Sequence, residues 1–229
     1  MKQSPFLEKK EKWLREVSDE CHEFAKKIDL DFYVFQTPCD KYNPKLLLIG
    51  INPGGHKSYQ KALEEKGYDK RPATDLGYEE SMLVKKPKGE IEEGLKGCDV
   101  MRDRMKRVFC ESNNLDILKD TVMMNMFYFN TDKSKDIYKI DAGIRKYCFN
   151  KTLEFIDIIN PQNVLFLTSD SKILGSFGVK NITEKKKFIK QGILGDRTVY
   201  AIPHYASRLG AYFGEKSVKM GKSLSEILK

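Results

Sequence analysis

Three short stretches place an amide or an imidazole directly behind an apolar run. Gly50-Ile51-Asn52-Pro53-Gly54-Gly55 follows Leu46–Ile49, Asn125 follows Thr121–Met124, and His204 follows Thr198–Pro203. A carboxamide does not take up a proton at neutral pH, so Asn52 can orient a water through its carbonyl oxygen but cannot serve as a base. Asn125 carries a donor and an acceptor on one side chain and can read a donor–acceptor edge. A neutral His204 can donate to an oxygen on which charge develops, a contribution of roughly 3–4 kcal/mol in comparable oxyanion sites. Each residue also has a structural alternative. Asn52 can cap its turn by tolerating unusual backbone angles, Asn125 can satisfy backbone groups between strands, and a lone histidine after a strand is often a packing residue. Gly54 and Gly55 permit close approach to the backbone.

The surrounding pattern supplies elements to position these groups. Leu46–Ile51, Thr121–Phe129, Asn163–Thr168 and Thr198–Pro203 read as four buried strands, continuous in apolar residues as strands covered on both faces are. Between them the spacing predicts helices. One runs from a Ser4 cap and Pro5 to about Ile28, with Trp13, Val17, Cys21 and Phe24 on one side. Others run from Asp99 to near Asn113-Asn114, from an Asp141 cap to Ile159 ahead of Pro161, from Ser171 to about Phe177, and over Glu215–Leu228. Residues 56–97 are polar and read as an insertion with a helix near Tyr59–Lys66. The chain is thus expected to be one α/β domain over residues 1–229, a three-layer α/β/α sandwich around a small four-stranded, mostly parallel sheet. Ligands of such sheets bind beyond the carboxyl ends of the strands, which is where Asn52, Asn125 and His204 fall.

Composition narrows the class. The 229 residues carry 41 Lys/Arg against 33 Asp/Glu, a net charge of +8. The excess lies in residues 180–229, with 11 basic against 4 acidic residues, which suits a polyanionic partner or a solvated basic surface. No apolar run reaches the roughly 18 residues of a membrane span, and the N-terminus leads into charge, so a cytoplasmic protein is expected. The five cysteines form no C-x-x-C pair and read as reduced thiols, not as a metal site or disulfides.

Taken in order, the three stretches resemble the motifs of the uracil-DNA glycosylase superfamily. Gly50-Ile51-Asn52-Pro53-Gly54 is similar to the first motif of its mismatch-specific and single-strand-selective branches. Met123-Met124-Asn125-Met126 is similar to the middle motif, and His204-Tyr205-Ala206-Ser207-Arg208 to the last, usually written H-P-S-P followed by Leu or Arg. The likeness spans residues 44–212. It implies a monofunctional glycosylase that flips a uracil or C5-modified pyrimidine out of DNA and hydrolyses its N-glycosidic bond, leaving an abasic site in base-excision repair or defence. It further implies that Asn52 holds the attacking water, His204 donates to the pyrimidine O2, and Asn125 reads N3–H and O4. Gly54 and Gly55 leave open the place beside C5 that uracil-specific relatives fill with a tyrosine. Arg208 falls at the wedge position, with Ser207, His56 and Lys57 as further DNA contacts. No metal or other cofactor is expected, and a monomer acting on DNA is.

The chain departs from the pattern at Tyr205-Ala206-Ser207, where prolines normally flank the serine. Candidates for an aromatic that stacks on the base are Tyr59, Tyr68 and Tyr78. Lys185, Lys186, Lys187, Lys190 and Arg197, or Lys216, Lys219 and Lys222 at helical spacing, could track a phosphate backbone or simply face solvent. The competing readings are a non-catalytic nucleic-acid-binding member of the same fold and a nucleotide-binding α/β enzyme. The second lacks a G-x-x-x-x-G-K-[ST] loop.

Overall fold

A computed structural model describes residues 5–55, 57–83, 96–110, 115–206 and 210–228. Four strands fall where the sequence places them: β1 (Leu46–Gly50), β2 (Thr121–Asn125), β3 (Val164–Phe166) and β6 (Arg197–Ala201), the first three buried throughout and the last opening on the partly exposed Arg197-Thr198. They lie side by side and parallel in the order β2-β1-β3-β6. The sheet then continues through β5 (Ile189–Leu194) and β4 (Lys180–Lys186), both joined antiparallel. It is therefore six-stranded and mixed, which corrects the expectation of four mostly parallel strands. The extra hairpin escapes an apolar pattern because nearly all of β4 is exposed and Lys180, Glu184, Lys185 and Lys186 are charged, as suits an edge strand that must not recruit another. Gly195, at φ +62°, turns β5 into β6, so Gly195-Asp196 was a legible hairpin signal.

Alternation along the central strands splits the core in two. Leu47, Ile49, Val122, Met124 and Phe166 join one cluster with Trp13, Val17 and Cys21 of α1 (Pro5–Ile28) and Cys148, Phe155 and Ile159 of α5 (Ala142–Ile159). Leu46, Leu48, Met123 and Leu165 join the other, with Met101 and Met105 of α3 (Lys96–Cys110) and Met220 and Leu224 of α7 (Gly214–Ser225). Trp13 fastens α1 to α5 by donating to the Lys151 carbonyl at 2.9 Å.

The helix caps follow their sequence signals. Asp141 accepts from the Gly143 and Ile144 amides to open α5, and Asp170 accepts from Lys172 and Ile173 to open α6 (Ser171–Ser176). The helix expected in the polar insertion is α2 (Tyr59–Lys66), capped by Ser58 and ended by Gly67 at φ +66°, and the short α4 (Leu115–Lys119) leads into β2. Residues 84–95 of that insertion, Ser4 and Asn113-Asn114 lie outside the described residues. Among the described residues no helix is long and apolar enough to cross a membrane.

A segment to which the sequence pattern assigned no element, residues 29–37, bridges β2 and the loop behind it through Phe32–Phe129 and Phe35–Met124. It is anchored by Arg71, almost fully buried, which forms an ion pair with the fully buried Asp31. Replacing such a pair with apolar groups is often neutral, but removing one partner typically costs 3–5 kcal/mol. The Arg71 guanidinium lies 4.4 Å from the Tyr33 ring centroid and so supports that ring from behind.

Candidate functional site

Strands β1, β2 and β6 run parallel, so their carboxyl ends open on one edge of the sheet. A cavity of about 290 Å³ lies there, lined by Gly50, Asn52, Gly54, Asn125 and His204. Three predicted polar side chains, separated by up to 152 positions, thus share one wall. A second cavity of about 400 Å³ adjoins it and also touches Asn52, Gly54, His204 and Tyr205. These four residues line both spaces.

Each asparagine is held by its nitrogen, which leaves its oxygen to face a ligand. Asn52 Nδ2 donates to the Pro53 carbonyl at 2.7 Å, the Thr131 hydroxyl at 2.9 Å and the Thr131 carbonyl at 3.1 Å. That pattern fixes the amide against rotation. Asn125 is the last residue of β2, in register with Gly50, and is almost fully buried. Its Nδ2 donates to the Tyr33 carbonyl at 3.3 Å. A Cβ on Gly50 would stand 2.8 Å from Asn125 Oδ1, so glycine at this position makes room for the carbonyl.

His204 is built differently. Burial pushes its imidazole down to about 4, with the Arg104 guanidinium adding to the effect, so the ring is neutral at physiological pH. Its Nδ1 accepts from the Ala206 amide at 3.2 Å, which assigns the proton to Nε2. The Tyr205 ring packs on it with centroids 4.2 Å apart. Arg104 of α3 donates to the Tyr205 carbonyl, and the buried Tyr212 hydroxyl donates to the Pro203 carbonyl at 2.6 Å. A side chain from another element therefore secures a loop that lacks flanking prolines. No protein-family model matches this chain, and no curated protein is recognisably similar to it. The geometry must carry the functional reading by itself.

The remaining predicted residues divide. Gly54 lines both cavities, and a Cβ there would meet nothing within 4 Å. Gly55, at φ +83°, is exposed and shapes the turn without lining either cavity. Lys57 pairs with Glu65 of α2 at 2.6 Å, a bond that raises its pKa. His56, Ser207 and Arg208 lie outside the described residues. Tyr78 lines the first cavity and stacks on Tyr33, centroids 5.9 Å apart and planes 10° from parallel. Tyr59 is instead buried against Phe32 and His22, and Tyr68 sits on the surface over Lys66. Of the basic residues, Lys186 pairs with Glu226, Lys190 donates to Ser169 and Ser171, and Arg197 donates to Asn160. Sequence reasoning missed Tyr33, Gln36, Asn130 and Tyr205 in the first cavity and Thr131 and Asp132 in the second. Asn130-Thr131, a polar pair ending the long run from Thr121, was the one available signal.

Among the described residues no cluster of three metal-ligating side chains occurs.

Proposed function

We propose that this chain is a monofunctional DNA glycosylase of the uracil-DNA glycosylase type, acting as a cytoplasmic monomer on a flipped pyrimidine. The observation that carries the reading is the meeting of Asn52, Asn125 and His204 from three strand ends in one cavity, with both amide nitrogens hydrogen-bonded to the protein. The helices α1 and α5 on one side and α3 and α7 on the other form the outer layers of a three-layer α/β/α sandwich, as the resemblance implies.

The chemistry follows from the atoms left free. The base enters the smaller cavity against Tyr33 and Tyr78, while the sugar occupies the larger one. Asn125 Oδ1 accepts N3–H, and the second Nδ2 proton serves O4, so uracil matches and cytosine does not. As the bond from the sugar to N1 stretches, negative charge spreads over the base. His204 Nε2–H donates to O2 and stabilises that charge from a neutral ring. Asn52 Oδ1 holds the water that takes the base's place at C1′. The open space beside Gly54 admits substituents at C5.

The test is incubation with DNAs carrying uracil opposite G or A, uracil in single strands, hypoxanthine, or C5-modified pyrimidines, followed by alkali. Strand scission at the modified position is expected for a pyrimidine substrate. Salt-sensitive DNA binding without scission on any substrate would favour the non-catalytic binding reading.

A further inference from the structure

Asn52 can orient a water but has nowhere to put its proton. Hydrolysis by water alone leaves that proton to be removed as the new C–O bond forms, and a positioned carboxylate accelerates such a step by about 10²–10⁴-fold. Among the described residues no carboxylate lines the smaller cavity; the adjoining one is lined by Asp132, together with Asn52, Thr131, Ser134 and His204. Asp132 directly follows the residue whose carbonyl and hydroxyl clamp Asn52 Nδ2 at 3.1 and 2.9 Å. Fixing the amide thus brings the Asp132 backbone to the same side of the site. Asp132 is exposed, lines this cavity and makes no hydrogen bond or ion pair with another described residue, Lys139 being its charged neighbour at longer range.

We infer that Asp132 is the proton acceptor for the water held by Asn52, a catalytic residue that none of the sequence motifs includes. The inference rests on the glycosylase reading. In the step, the water oxygen bonds to C1′, the C1′–N1 bond breaks, and its electron pair leaves with the base. The water's proton passes to the Asp132 carboxylate. No oxidant, reductant or metal enters the balance. The same negative charge, on the sugar side, also favours the positive character that C1′ acquires before attack.

The test compares wild type, Asp132→Asn and Asp132→Ala in single-turnover excision. Binding is measured in parallel to DNA carrying a 2′-fluorinated, uncleavable deoxyuridine. The expected result is a rate about 10²-fold lower in Asp132→Asn with analogue binding unchanged, and partial recovery of Asp132→Ala by added formate. An Asp132→Asn rate within threefold of wild type overturns the assignment and leaves the glycosylase reading standing. Loss of binding together with rate, without formate rescue, also overturns it, since the residue then shapes the site instead of moving a proton. Absence of abasic product from wild type on every substrate overturns both.

Discussion

The asparagine side and the histidine side of the cavity are held by unlike supports. Asn125 ends β2 and Asn52 lies just past the end of the neighbouring β1, and their amides are tied to the Pro53, Thr131 and Tyr33 carbonyls and the Thr131 hydroxyl. His204 lies on a loop past the end of β6, fastened from outside by Arg104 of α3 and by Tyr212. A strand end is positioned by the whole hydrogen-bonded ladder. A loop end depends on a few side chains, and those can come from anywhere in the sequence. A loop without prolines after its histidine can therefore still hold that histidine, provided that α3 supplies the guanidinium.

The largest expected effect breaks the asparagine side at its centre. Asn52→Ala should lower single-turnover base excision by about 10²–10³-fold with DNA affinity little changed, because in the proposed mechanism it removes the group that places the water. Gly50→Ala should cost about 10²-fold: a Cβ 2.8 Å from Asn125 Oδ1 forces that carbonyl out of place. Loss of discrimination between uracil and cytosine would accompany the loss of rate, as competition assays would read out.

On the histidine side the expected signature is in pH. His204 titrates at about 4 in the folded chain and near 6.5 when unfolded. Between these values the unfolded chain binds the extra proton, so this residue's contribution is complete above pH 6.5 and is lost as pH falls toward 4. Urea titrations should show about 2–3 kcal/mol of stability lost across that window, and His204→Asn should lack that component. Arg104→Met should free the loop and remove a positive neighbour. The His204 titration, followed by NMR, should move upward, and excision should slow about tenfold. Thr131→Val probes the asparagine side more gently. It removes one of three acceptors of Asn52 Nδ2 and should cost about fivefold, near the net worth of one hydrogen bond. If Thr131→Val proved more damaging than Arg104→Met, the contrast between ladder-held and brace-held groups would fail.

Legibility in the sequence follows the same division. Strands β1, β2 and β3 could be read because burial on both faces writes them as largely apolar runs, β6 from its Val199–Ile202 stretch, and Asp141 and Asp170 announce their helices by capping them. Asn52, Asn125 and His204 could be read because each directly follows such a run. Strand β4 was hidden by its exposed lysines, which exist to keep an edge from pairing. Tyr33 and Gln36 lie on a segment joined to β2 by isolated bridges, with no periodicity to mark it. Arg104 and Asp132 act only through tertiary placement: one reaches a carbonyl 101 positions away, the other enters a cavity by way of its neighbour's bond to Asn52. Charged residues of this kind look like solvated surface until the fold is known.

The most direct measurement of the central claim is the release of free base from a uracil-containing single strand under single-turnover conditions. Mass spectrometry would count both the base and the abasic strand, for wild type and Asn52→Ala. We expect base and abasic strand in equal amounts from wild type and at least a hundredfold slower release from Asn52→Ala. Release unaffected by Asn52→Ala, or none from uracil or any C5-modified pyrimidine, would contradict the assignment of this cavity as a glycosylase site.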